Sequence, residues 1–316
     1  MGLVGKRKTR STIQKNLQNW CFDFDPFFSN VQDSFKEAMR ELGYVEGRNV
    51  TYDVFSASQP IGNEKAVQKM IEEKVDLLFP IGTEISIETK KVAEGSGVPV
   101  VFGLAFIEGT GLVQNVRTPG NNITGVRYPT TESAVGRLEL LHEIAPKVKR
   151  VWATYLKNYP TVPSQIAELN LAARKMGITL TIMPFENAAE VKEYLDGRMA
   201  AKDPGIDAIL ELVEPFSVTP EVNEVIYKFA DKYRLPISSA LILKEASGPI
   251  VGFHPDNLKF GKLAAPIANK VLKGISAGTI PVVTADNDLR INYKLTKKLG
   301  LTVGEGLLSR SIEIVK

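Results

Sequence analysis

The sequence predicts an α/β protein of two doubly wound parallel-sheet lobes joined by a hinge of several crossovers, and three observations predict it. Helix-period and strand-like segments alternate with short connections, the pattern of parallel sheets covered by helices on both faces. The order of units in residues 35–102 returns in residues 169–238: Gly43 and Gly177 stand 134 positions apart, Asp76 and Asp207 131, Pro99 and Pro236 137. A length of 316 residues suggests two domains at roughly 150 residues each.

Taken in order, Phe35, Met39 and Leu42 lie on one helical face that Gly43 ends, and residues 49–55 read as a strand. A helix over 66–73 leads to the strand 75–79, and the Gly82-Thr83 turn opens a helix through Val92. Residues 98–102, Val-Pro-Val-Val-Phe between Gly97 and Gly103, form the apolar run of a strand buried on both faces. A glycine-punctuated loop over 103–120 follows, and the extended segment 123–126 leads toward the second lobe. There, the strand 150–155 precedes a helix carrying Leu169, Ala173 and Met176, ended by Gly177. Strands at 178–183, 206–210 and 235–238 alternate with helices over 191–201 and 222–233. The tail adds a strand at 250–253, a helix at 257–272 and late strands at 281–283 and 289–293, each able to cross back between lobes. The expected division is residues 26–124 with 252–280 in the first lobe, and 125–251 with 281–316 in the second. Residues 1–25 are set apart, because the repeat places a first strand near 16–21 and Asn-Leu-Gln-Asn-Trp-Cys is too polar for a central parallel strand.

Composition narrows the chemistry. Lys and Arg number 39 against 36 Asp and Glu, scattered along the chain, which asks for neither nucleic acid nor an anionic membrane. The single cysteine, Cys21, excludes an intrachain disulfide or a multi-thiolate metal site. His142 and His254 lack metal-ligand spacing, and no nucleophile elbow, dinucleotide fingerprint or phosphate loop is present. No cofactor is implied, and an enzyme of the doubly wound class would need a base or metal site that these residues do not supply. The basic stretch Lys6 to Arg10 is followed by no apolar core, so the start does not read as a signal peptide.

Four segments together resemble the ABC-transporter substrate-binding protein family whose best-known members bind tryptophan or tyrosine, a branch of the type I periplasmic binding proteins. They are FKEAMRELGYVEGRNV from Phe35, PVVFGLAFIEGTGLVQNVRTPGNNITGV from Pro99, RLELLHEIAPKVKRV from Arg137 and VLKGISAGTIPV from Val271. The resemblance covers roughly residues 31 to 302. It implies a monomeric extracytoplasmic receptor that closes on a small-molecule solute and hands it to a membrane permease. A regulator with the same two-lobed sensor would need a DNA-reading headpiece of about 50 residues, and a sensor domain of a signalling system is a further alternative.

Carried over by position, the resemblance implies ligand contacts at Phe28 and Ser29; at Gly82, Thr83 and Glu84; at Ala105 and Phe106; at Tyr155 and Asn158; at Glu214 and Phe216; and at Ser239 and Ala240. In place of the Asp-Pro that many members carry after the fourth strand stands Phe106-Ile107, and in place of Tyr-Asn after the first strand of lobe 2 stands Tyr155-Leu-Lys-Asn158. The Gly82-Thr83 helix start reads either as an anion site or as a plain N-cap. Phe28, Phe106, Tyr155 and Phe216 form either a stacking box or core, with two of the four expected to touch ligand. Glu214 reads equally as a partner for a ligand amine and as a solvated loop carboxylate.

Overall fold

The computed structural model describes residues 17–23, 29–56, 62–240 and 247–316. The first lobe runs β1 (Leu17–Asp23), α1 (Ser29–Glu41), β2 (Val50–Ser56), α2 (Asn63–Glu72), β3 (Leu77–Pro80), α3 (Thr83–Ala93), β4 (Val100–Ala105) and β5 (Ile123–Arg127). The second runs α4 (Thr130–Ile144), β6 (Arg150–Leu156), α5 (Val162–Met176), β7 (Thr179–Phe185), α6 (Ala188–Asp196), β8 (Ala208–Leu210), α7 (Pro220–Tyr233), β9 (Ile237–Ser239) and β10 (Val251–His254). Next come α8 (Asn257–Leu272), β11 (Val283–Thr284), β12 (Asp288–Asn292), α9 (Tyr293–Lys298), α10 (Glu305–Arg310) and β13 (Ser311–Val315).

The strands form two sheets, ordered β11-β5-β4-β3-β1-β2 and β13-β12-β10-β9-β8-β6-β7. Without the late strands, both cores have one topology: the second strand outside the first, then the third, fourth and fifth on its other side. The repeat seen as landmark spacings is therefore a repeat of fold. Every pairing is parallel except β10 with β12.

The most buried strands are those with continuous apolar runs: Leu77, Leu78 and Phe79 in β3 and Val100 to Phe102 in β4 have no exposed surface. Helix α1 covers this sheet with Val31, Phe35 and Met39, and the Phe35 ring stacks on Phe79 at 4.0 Å. Leu42, expected on the same face, lies beyond the helix end at Glu41 and is exposed.

Two boundary expectations are corrected. Residues 17–23, set apart with the first 25, form a central strand paired with β2 from Leu17↔Val50 to Asp23↔Ser56 and with β3 on its other side. Two flanking ladders hold a backbone that residue preference alone would not place there. The sheet assignments also move the lobe limits a few residues later. β5 stays in the first sheet through Arg127, β10 in the second through His254, and β11 returns to the first at 283–284. Gly125 lies inside β5 opposite Phe102, within the expected extended segment 123–126, and an added Cβ there would overlap the Phe102 carbonyl.

The chain thus crosses between lobes three times, at 128–129, 255–256 and 285–287, and charged side chains knit these crossings. Arg127 pairs with Glu108 at 2.5 Å and with Glu132 in the first turn of α4. Ser133 donates to Asn287 at 2.6 Å. Arg290 reaches the His254 Nε2 at 3.0 Å and Asp256 at 3.2 Å, and Lys259 pairs with Asp288 at 2.7 Å.

Candidate functional site

Parallel doubly wound sheets bind ligands beyond the carboxyl ends of their strands, at the point where strand order reverses. In each lobe that point lies between the first and third strands. A cleft of about 1140 Å³ opens there between the lobes. From lobe 1 it is lined by residues 81–85 after β3, by Leu104 and Phe106 at the end of β4, and by Tyr128 at the first crossing. From lobe 2 come Tyr159 after β6, Val213, Glu214, Pro215 and Ser217 after β8, and Ala240 after β9. Asn223, Tyr227, Lys228 and Asp231 of α7 line its outer part, and His254 and Asn257 its hinge side.

Local backbone geometry aims these groups. The β4 ladder shifts register between Phe102 and Ala105, and Leu104 takes a left-handed φ of 53°. That bulge turns the strand end so that Leu104 and Phe106 both face the cleft. The Phe106 amide donates to Thr83 Oγ1 at 3.0 Å, stitching the end of β4 to the start of α3. The Phe106 ring meets Tyr128 edge-on, with centroids 5.3 Å apart.

Of the described residues carried over by resemblance, Gly82, Thr83, Glu84, Phe106, Glu214 and Ala240 line the cleft, and Ser29, Ala105, Tyr155, Asn158, Phe216 and Ser239 do not. Phe28 falls outside the described residues. Ser29 begins α1, and Ala105 is buried in the sheet. Tyr155 packs with the core under α5, Phe216 lies in the core cluster with Trp152, and Ser239 is buried within β9. Among the described residues, then, Phe106 alone of the proposed stacking box faces the cleft, where Tyr128, Tyr159 and Tyr227 supply further rings.

Asn158 is exposed with a left-handed φ of 65°, so its place in the turn after β6 is explained by backbone conformation. Asn158→Gly is expected to leave the melting temperature unchanged, and Asn158→Val to lose about 1–2 kcal/mol in denaturant unfolding.

Thr83 is the first residue of α3, after the N-cap Gly82, and the Phe106 amide occupies its hydroxyl as acceptor. The expected Thr83 N-cap does not form: Gly82 is the N-cap, without a side-chain cap bond.

Glu214 is no solvated loop carboxylate. It is 5 % exposed, and Oε2 accepts the Leu156 amide at 2.9 Å. Burial pushes its carboxyl up to about 7, against the Leu156, Phe216 and Ser217 amides, which pull it down. Three residues earlier, Glu211 is buried at the end of β8, and neither carboxylate oxygen has a hydrogen-bond partner. Burial raises it to about 7 as well, opposed by Ser239 and Arg137 and assisted by the charge of Glu214. His254 is held neutral, its pKa lowered to about 4 by burial and then by Arg290 and Arg137.

One contact spans the lobes at the cleft mouth. The Tyr159 hydroxyl, from lobe 2, donates to Glu84 Oε1 at 3.0 Å, from the first turn of α3 in lobe 1. The phenol is pushed well above its ordinary pKa by burial, then by Glu84, with a smaller push from Glu214. Glu84 of lobe 1, Glu214 of lobe 2 and the Tyr159 hydroxyl thus line the same cleft. Among the described residues no group of three or more His, Cys, Asp or Glu side chains could hold a metal.

Residues 25–315 match the family described as ABC transporter substrate binding protein. The chain belongs to that family. The chain is also 24 % identical over 300 residues to a tyrosine-binding protein of Clostridioides difficile strain R20291, covering 93 % of this chain and 84 % of that protein. Its fold is shared with an ABC domain from Streptococcus pneumonia solved in complex with L-Trp, at a TM-score of 0.78 and 21 % identity over 95 % of this chain and 100 % of that one. A ligand-free, open substrate-binding protein with adhesive properties from Clostridium difficile gives a TM-score of 0.76 at 22 % identity, covering 95 % and 99 %. Among the described residues no helix is long and apolar enough to cross a membrane.

Among the cleft residues that sequence reasoning misses are Leu104, Tyr128, Tyr159 and His254. Tyr128 and His254 border lobe crossings, Leu104 owes its orientation to a bulge, and Tyr159 stands one residue beyond the position that resemblance marks. The one available signal was the departure itself: the extra residues after Tyr155 displace the ring that enters the cleft.

Proposed function

We propose that this protein is the solute receptor of an ABC importer, closing its two lobes on a small amphipathic molecule, with an aromatic amino acid the leading candidate. The observation that carries this reading is a cleft with groups from both lobes: the Phe106, Tyr128 and Tyr159 rings offer an apolar wall, and Glu84 and Glu214 face it from opposite sides. A solute that touches both lobes favours the closed arrangement by the free energy of those contacts. The tyrosine-binding relative and the L-Trp complex support the choice of ligand class. Delivery to a membrane permease, an extracytoplasmic location and action as a monomer belong to the same reading.

The test is native mass spectrometry of the purified protein, followed by thermal-shift titration with L-tyrosine, L-tryptophan and a panel of aliphatic amino acids, purines and organic acids. The expected result is a melting temperature that rises with aromatic amino acid concentration, corresponding to about 2.7 kcal/mol at a hundred times Kd. A rise with purines or organic acids alone would overturn the ligand class.

A further inference from the structure

We propose that the cleft selects its solute by a primary ammonium group, seated between Glu84 and Glu214 beside the Tyr159 hydroxyl, and that a carboxylate on the solute is dispensable. This rests on the receptor reading above and names the chemistry by which the cleft reads its ligand.

The charges facing the cleft are unbalanced. Glu84, Glu214, Glu224 and Asp231 line it, and among the described residues Lys228, exposed on α7, is the one Lys or Arg that does. Neither arginine near the hinge lines the cleft: Arg290 is held by His254, Asp256 and Glu313, and Arg137, whose Nη1 donates to the Phe253 carbonyl at 3.3 Å while its Nε and Nη2 have no partner, is fully buried. The positive end of α3 already faces a carboxylate, that of Glu84 in its own first turn. A solute carboxylate meets little there to hold it. An ammonium meets acceptors on both sides.

Those acceptors have capacity left. A carboxylate offers about four acceptor positions. Glu214 Oε2 accepts the Leu156 amide, and Glu84 Oε1 accepts a hydrogen bond from the Tyr159 hydroxyl. An ammonium donates three hydrogen bonds and carries the charge that two carboxylates lack. Because Glu84 belongs to lobe 1 and Glu214 to lobe 2, one ammonium bound to both would tie the lobes together. The apolar wall of Leu104, Phe106 and Tyr128 then receives the flat body of the solute.

The experiment is isothermal titration of the full chain at pH 8 with L-tryptophan and L-tyrosine, their decarboxylated amines tryptamine and tyramine, and their deaminated acids indole-3-propionate and 3-(4-hydroxyphenyl)propionate. The expected result is that the amines bind within about tenfold of the amino acids and the acids at least a hundredfold more weakly, a gap of about 2.7 kcal/mol. Acids that bind as well as the amines, or amines a hundredfold weaker than the amino acids, would overturn the inference and leave the receptor reading standing. No heat with any of the six would overturn both. Glu84→Gln, at an exposed position, should weaken tryptamine at least tenfold with an unchanged melting temperature, and unchanged affinity in that variant counts against the seat even if Glu214→Gln fails to fold.

Discussion

Glu211→Gln is expected to flatten the dependence of stability on pH and to leave the protein more stable than its parent at pH 8. Glu211 is buried at the end of β8, and its carboxyl is raised from an ordinary 4.5 to about 7. A group whose pKa is raised by folding holds its proton more tightly in the native state. Its contribution is complete below about 4.5 and is lost as pH rises through 7. By pH 8 the parent should have given up as much as about 3 kcal/mol at this position. Glutamine keeps the neutral shape and removes the titration, so the two proteins should match near pH 4 and separate progressively above pH 5. The groups that face Glu211 are Arg137 on α4, Ser239 on β9 and the Glu214 carboxylate, and their influence is already contained in the value near 7. Glu214 titrates in the same direction, and His254 in the opposite one between about 6.5 and 4, where its neutral form is required. Denaturant unfolding at half-unit pH steps reads all three, and parallel curves for parent and Glu211→Gln would show that Glu211 is ionised at no cost.

Gly261→Ala is expected to destabilise lobe 1 although alanine is the better helix former. Gly261 lies in α8 against α1, and a Cβ there would overlap the Val31 carbonyl, the Ser34 hydroxyl and the Phe35 amide. Backbone atoms cannot swing aside as a flexible side chain does. The propensity gain of about 1 kcal/mol is therefore set against an overpacking cost of about 3 kcal/mol or more. The net result should be a melting temperature lower by roughly 5 °C. Gly306→Ala in α10, where an added Cβ meets nothing within 4 Å, should instead be neutral or slightly stabilising. Equal shifts in the two variants would show that α1 and α8 are not in close contact.

Much of this architecture is legible in the sequence because buried parallel strands and amphipathic helices write their burial directly into residue type. The run from Val98 to Phe102 and the face formed by Phe35 and Met39 are such places. β1 is not legible in that way. Gln18 and Asn19 interrupt its apolar residues, and its position follows only from the spacing of the repeat and the ladders on either side. The cleft shows the same division. Gly82 and Glu84 are readable because they follow a strand and open a helix. Phe216 and Tyr155 are not, because an aromatic ring after a strand reads the same whether it turns toward ligand or core. Glu214 is the sharpest case: a glutamate before a proline reads equally as an amine partner and as a solvated loop carboxylate, and the folded chain buries it among amides of two different segments.

The three crossings also set an order on synthesis. The second lobe's five core strands lie within one continuous stretch, from Arg150 to His254. The first lobe has no such independence, because α8, which packs on α1, and the edge strand β11 are encoded after the second lobe's core. As the chain leaves the ribosome, the side of α1 that meets α8 therefore stays uncovered until residue 272 has emerged, more than two hundred residues after its own synthesis. At about 5–20 residues per second that interval lasts roughly ten seconds or more, long enough for a chaperone to find the nascent first lobe before its final helix does.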